Sequence, residues 1–115
     1  MKISIVGFGK LGSSTGLFLS NKKNEIFAYD VNHKILRGFE KNSPLFYEKS
    51  AKHLIKNNKI NYCYNIVEAI KESNLTYLVL PTPSIPKNNN FDPSFIFKAI
   101  DKIFPIIKKK KINTL

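Results

Sequence analysis

Cys63 is the chain's one cysteine, so no internal disulfide can form. Histidine is limited to His33 and His53, far apart in the chain, and with a single cysteine this makes a zinc or other metal site unexpected. Long apolar runs are missing too: none approaches the about 20 residues that a bilayer span needs. The apolar start, Met1 to Val6, is broken at once by Gly7 and Gly9, so no secretory leader is expected. These shortages favour a cytoplasmic, reducing setting without membrane contact.

Acidic residues are scarce. Eight stand against nineteen basic ones, a net charge of +11, and such a surplus attracts anions. All the basic residues except Arg37 are lysines, spread along the chain and interleaved with Asn and Ile, as in Asn57-Asn58-Lys59-Ile60. That texture is a coding bias rather than a basic stripe, and no aromatic-rich RNA-binding strand or recognition helix goes with it. Nucleic acid is therefore not an expected partner. A smaller anion fits the charge as well.

The chain's 115 residues, 43% of them apolar, suffice for one domain with one core. Strand-length apolar runs alternate with stretches of helical period, the pattern of βαβ units. Strands are expected at Lys2 to Val6, Glu25 to Asp30, Ile60 to Tyr64 and Leu75 to Leu80. The last is apolar enough to be a central strand buried on both faces. Helices are expected from Lys10 to about Asn21, with Leu11, Gly16, Leu17 and Phe18 on the packed side, and from Asn32 to Glu40, carrying Ile35, Leu36 and Phe39. Glu48 to Asn57 reads as a further helix.

Asn65 and Glu68 form a capping box for the helix that follows. Pro81 to Phe91 is a proline-punctuated loop. Asp92-Pro93 then starts a final helix that buries Phe95, Ile96, Ala99, Ile100 and Ile103 and is ended or kinked by Pro105. After the lysine run 108–111, Ile112 to Leu115 reads as the opening of a fifth strand. The expected architecture is an α/β, Rossmann-type doubly wound parallel sheet of order 3-2-1-4-5 spanning residues 1–115 as a single domain and truncated at about the fifth strand.

Gly7-Phe8-Gly9-Lys10-Leu11-Gly12 fits G-x-G-x-x-G between a strand and a helix. Each glycine has a reason: Gly7 allows the sharp turn, Gly9 leaves room for a pyrophosphate, and Gly12 lets helix and strand approach. The helix amino terminus offers free N–H groups and a partial positive charge. Lys10, within the motif, either adds attraction to the pyrophosphate or stands in solvent. Asp30 closes the second strand 18 residues after Gly12. Its carboxylate can accept from ribose hydroxyls and repels a 2′-phosphate, so NAD is favoured over NADP, although Lys34 nearby softens that repulsion.

Three further stretches carry a resemblance. Ser43-Pro44-Leu45-Phe46-Tyr47-Glu48, Asn65 to Glu72, and above all Pro81-Thr82-Pro83-Ser84 followed by Asp92-Pro93-Ser94-Phe95-Ile96 are similar to segments of the UDP-glucose/GDP-mannose dehydrogenase family. The resemblance covers essentially the whole chain. It implies NAD contacts at Gly7, Gly9, Leu11, Gly12, Asp30, Lys34 and Thr82, and Lys10 joins that candidate set by its place in the turn.

The resemblance also implies a parent enzyme that oxidises the C6 hydroxymethyl group of a nucleotide sugar in two NAD-dependent steps through a cysteine-bound intermediate. Homo-oligomer formation is expected only of that full-length protein. The family's catalytic cysteine, its lysine and aspartate partners and its sugar-nucleotide domain would all lie beyond residue 115. Lys10 replaces a usual tyrosine and Ser14 a usual proline, and neither removes a phosphate-binding glycine. Cys63, inside a strand and without a neighbouring base, is no substitute nucleophile. The chain alone is expected to bind NAD without turnover. A free-standing NAD-binding module and another Rossmann dehydrogenase, of β-hydroxyacid or prephenate type, are the alternatives.

Overall fold

The computed structural model describes residues 1–56, 58–80 and 92–114, the side chains of the last stretch through residue 110. Four strands form one parallel sheet: β1 (Lys2–Val6), β2 (Glu25–Tyr29), β3 (Ile60–Cys63) and β4 (Leu75–Leu78), in the order β3-β2-β1-β4. Helix α1 (Lys10–Ser20) links β1 to β2, and α2 (His33–Glu40) with a 3-10 helix (Lys49–Leu54) leads to β3. Helix α3 (Ile66–Lys71) precedes β4, and α4 (Ser94–Thr114) is the last element described. Register is continuous across the sheet, with Ile5 opposite Ala28 and Tyr77. Among the described residues no helix is long and apolar enough to cross a membrane.

The β-branched alternation of β1 divides the core. Ile3 and Ile5 pack with Leu17, Ile26, Leu36 and Phe39 on one face. Val6 packs with Ile70 and Ile103 on the other. Phe8, although it follows β1 in a turn, is fully buried and meets the rings of Phe39 and Tyr62 edge-on at 5.2 and 6.1 Å. Caps fall where the residue types place them: Asn32 accepts from Lys34 N, Asn65 from Val67 N, and Asp92 from Ser94 N.

Several expectations give way. The stretch after Glu48 is a 3-10 helix, because its buried positions, Ala51 and Leu54, recur every third residue and their turn closes with i to i+3 bonds. No fifth strand forms at Ile112 among the described residues: α4 continues through Pro105 to Thr114. Straight-chain lysines favour that helix, and Ile103 and Ile106 hold it against the Val6 and Ile70 cluster. Lys110 Nζ donates to the carbonyls of Ile70, at 2.7 Å, and Ser73, at the end of α3.

Strand β4 is not buried on both faces. Among the described residues it lies at the sheet edge, and Leu75 and Tyr77 are 42% and 40% exposed. Leu11, Phe18, Phe95 and Ile100, expected to pack, are exposed as well. Cys63 is buried, and burial, then the Glu68 charge, pushes its thiol up to about 11. At pH 8 only about one Cys63 in a thousand is then a thiolate. The native chain should resist iodoacetamide at that pH and react once unfolded. Rapid alkylation of the folded chain would contradict this packing.

Candidate functional site

The turn after β1 is built from backbone outward. Gly7 has φ +102°, a region that L side chains avoid, and a Cβ there would collide with the Val79 carbonyl. Gly7 N donates to Tyr29 O at 2.9 Å. Phe8 N donates to Asp30 Oδ2 and Asn32 N to Asp30 Oδ1, both at 2.8 Å. The turn is thus stapled to the end of β2, and the Phe8 ring in the core keeps it there.

Gly9 is the N-cap of α1 and offers no side chain to cap it, and the first turn holds no acidic residue. The first helical bond runs from Ser13 N to Gly9 O. The amides of Lys10, Leu11 and Gly12 therefore have no acceptor within the helix. The glycines divide the work. A Cβ on Gly12 would strike the Gly7 carbonyl, whereas a Cβ on Gly9 would find no atom within 4 Å. Open space at the amino terminus of an uncapped helix is what an anion requires.

These groups line a cleft of about 690 Å³, in the size range of small-ligand sites. The structure brings Gly7, Gly9, Lys10, Leu11, Gly12 and Asp30 together in its lining. Lys34 is exposed in the first turn of α2 and is not part of that lining. Thr82, with the rest of the Pro81 to Phe91 loop, lies outside the described residues. Lys10 Nζ stands 3.9 Å from Glu48 Oε2, both side chains well exposed, so the pair contributes little to stability.

Sequence reasoning missed the other walls. Val31, 83% exposed, continues from Asp30, and Ile35 and Ile66 stand with it. Across from them α4 contributes Phe95, Lys98, Ala99 and Lys102. Phe95 and Ala99 were legible as part of an apolar helical period, but such a period does not distinguish a cleft wall from a core and passes over Lys98 and Lys102. A second cleft, about 650 Å³ along the β3 edge, carries Glu40, Glu68 and Glu72 against Lys56. That is the wrong sign for a diphosphate.

Comparison with known proteins agrees with the glycine turn. Residues 1–114 match the family model described as the UDP-glucose/GDP-mannose dehydrogenase family, NAD binding domain. An uncharacterized protein of Methanocaldococcus jannaschii is 27% identical over the whole chain, which spans 13% of that protein. UDP-glucose 6-dehydrogenase of Rhizobium meliloti is 22% identical over 90% of the chain and 24% of its own length. Among solved structures, a GDP-mannose dehydrogenase from Pseudomonas aeruginosa superposes with a TM-score of 0.81 at 22% identity, over 90% of the chain and 24% of the other. A UDP-D-ManNAc dehydrogenase from Pyrococcus horikoshii gives 0.80 at 20%, over 92% and 26%. The chain therefore spans about a quarter or less of the proteins it matches.

Proposed function

The chain belongs to the UDP-glucose/GDP-mannose dehydrogenase family, as its NAD-binding domain over residues 1–114, and from that premise we propose that the glycine-turn cleft holds NAD. In this reading the amides of Lys10, Leu11 and Gly12 take the diphosphate, and Gly7 and Gly12 fix the turn that aims them. Lys10 adds charge at the cleft edge. Asp30, its oxygens already oriented by Phe8 N and Asn32 N, accepts from the adenosine ribose hydroxyls with its remaining lone pairs. Lys34 and Thr82 complete the set by the resemblance alone. The observation that carries the proposal is the unfilled space beside Gly9, whereas a Cβ at Gly7 or Gly12 would meet backbone instead.

Bound NAD supplies a hydride acceptor for alcohol oxidation. The chain's own residues do the binding and orienting: two walls flank the dinucleotide, and the charge of Asp30 selects against a phosphorylated ribose. The polypeptide to which this domain belongs is proposed to oxidise the C6 hydroxymethyl of a UDP- or GDP-sugar to the carboxylate, in the cytoplasm and as a homo-oligomer. Residues 1–115 alone supply the cofactor half, so mixing the chain with NAD and UDP-glucose should form no NADH.

Calorimetric titration tests the cofactor reading. NAD should bind at least about tenfold more tightly than NADP, the discrimination expected when one carboxylate faces an extra phosphate. Asp30→Asn should narrow that gap to about threefold or less. An Asn side chain must also present its NH2 to one of the two backbone donors, so affinity for both cofactors drops. The ratio is therefore the readout. Equal affinities in the unaltered chain would remove Asp30 as the ribose reader.

A further inference from the structure

Helix α4 presents Phe95, Lys98, Ala99 and Lys102 to the cleft, positions one helical turn apart along a single face. Two anchors set that orientation. Ile103 is buried beside Val6 and Ile70, and Lys110 Nζ is bonded to the carbonyls of Ile70 and Ser73 at the end of α3. With position 103 turned to the sheet, 99 and 102 fall on the flank that overlooks Gly9 and Asp30.

The charges of the lining are then unequal. Among the described residues of the lining, Lys10, Lys98 and Lys102 stand against Asp30, a surplus of two positive charges, equal and opposite to the two of a dinucleotide's diphosphate. Without the α4 pair the lining would carry no net charge, and Lys10 already has Glu48 at 3.9 Å. Two acids on or before α4 bear on the pair. Asp92 is taken up in capping Ser94 N, with its carboxyl held low first by those hydrogen bonds and then by Lys98. Asp101 is exposed and outside the lining. Both lysines are exposed and share a helical face with Phe95 and Ala99, and their long stems let the ammonium groups reach toward the mouth of the cleft.

We infer that Lys98 and Lys102 are diphosphate-binding residues that close the dinucleotide site from the side opposite the amides of α1. The inference rests on the NAD reading above and adds to it a second, side-chain-borne wall. Both lysines are exposed, so their replacement leaves the fold intact.

The test is titration of the 115-residue chain and its K98Q/K102Q form with NAD, ADP and adenosine, followed by NMR. The double variant should lose about tenfold in affinity for NAD and for ADP, with adenosine unchanged. Its NAD affinity should also fall less steeply with added salt. K98R/K102R should restore binding to near the original value. NAD affinity within twofold of the original chain, or an equal loss for adenosine, would overturn the inference. An original chain that binds no NAD at all would remove the cofactor reading, and this inference with it.

Discussion

Gly9→Ala should leave the domain folded and lower its affinity for NAD by about 10- to 100-fold, the range expected when a methyl group is forced against a well-packed neighbour. Two facts make the fold indifferent. The backbone of Gly9 is extended, with φ −69° and ψ −162°, a region open to any L residue. Its missing Cβ would meet nothing within 4 Å. A methyl group there adds no clash and reduces the freedom of the unfolded chain, which stabilises by about 0.4–1 kcal/mol. The same methyl occupies the space proposed for the diphosphate. The substitution therefore separates two reasons for a glycine, and denaturation midpoints with NAD titrations read them independently. Unchanged affinity would place the ligand elsewhere.

Gly12→Ala should do the reverse. Its Cβ would run into the Gly7 carbonyl, with the Ile5 side chain 3.4 Å away, and the obstacle is backbone rather than a side chain that can swing aside. Relief requires α1 to move off β1, which disturbs the Ile5 and Leu17 packing. The cost should be about 3 kcal/mol or more, a large part of the roughly 6–17 kcal/mol expected for a domain of this length. Urea denaturation should show a much earlier midpoint, with loss of NAD binding following loss of structure. A midpoint matching the original chain would mean that helix and strand are not held as close as described.

The contrast between the two glycines explains how much was legible beforehand. G-x-G-x-x-G and Asp30 could be read directly because each residue type answers a local need, and the structure brings them into one cleft. The parallel strands were readable from β-branched runs, in the order 3-2-1-4. Position relative to the sheet edge was not. Leu75 to Leu80 is apolar as a central strand is, yet β4 has one hydrogen-bonded neighbour among the described residues, so Leu75 and Tyr77 are open. Leu11, Phe95 and Ile100 misled in a related way. A helical apolar period specifies a face but not what the face meets, and for Leu11 and Phe95 it meets the cleft.

The run after Pro105 failed for a different reason. Ile112 to Leu115 suits either strand or helix by composition, and four preceding lysines with Ile103 and Ile106 anchored to the sheet carry the helix onward. Phe8 was overlooked inside the motif itself. A large apolar residue in a glycine turn signals an anchor, and here its ring holds the turn while its amide holds Asp30.

In the NAD reading free amides at the start of α1, beside a pre-oriented Asp30, grip a diphosphate. Amide chemical shifts followed during NAD titration test it most directly. The largest movements should fall on residues 9–12, with smaller ones at Phe8 and Asn32, whose N–H groups share the Asp30 carboxylate. Silence at residues 9–12, or movement confined to the β3-edge cleft around Glu40 and Glu68, would contradict the account.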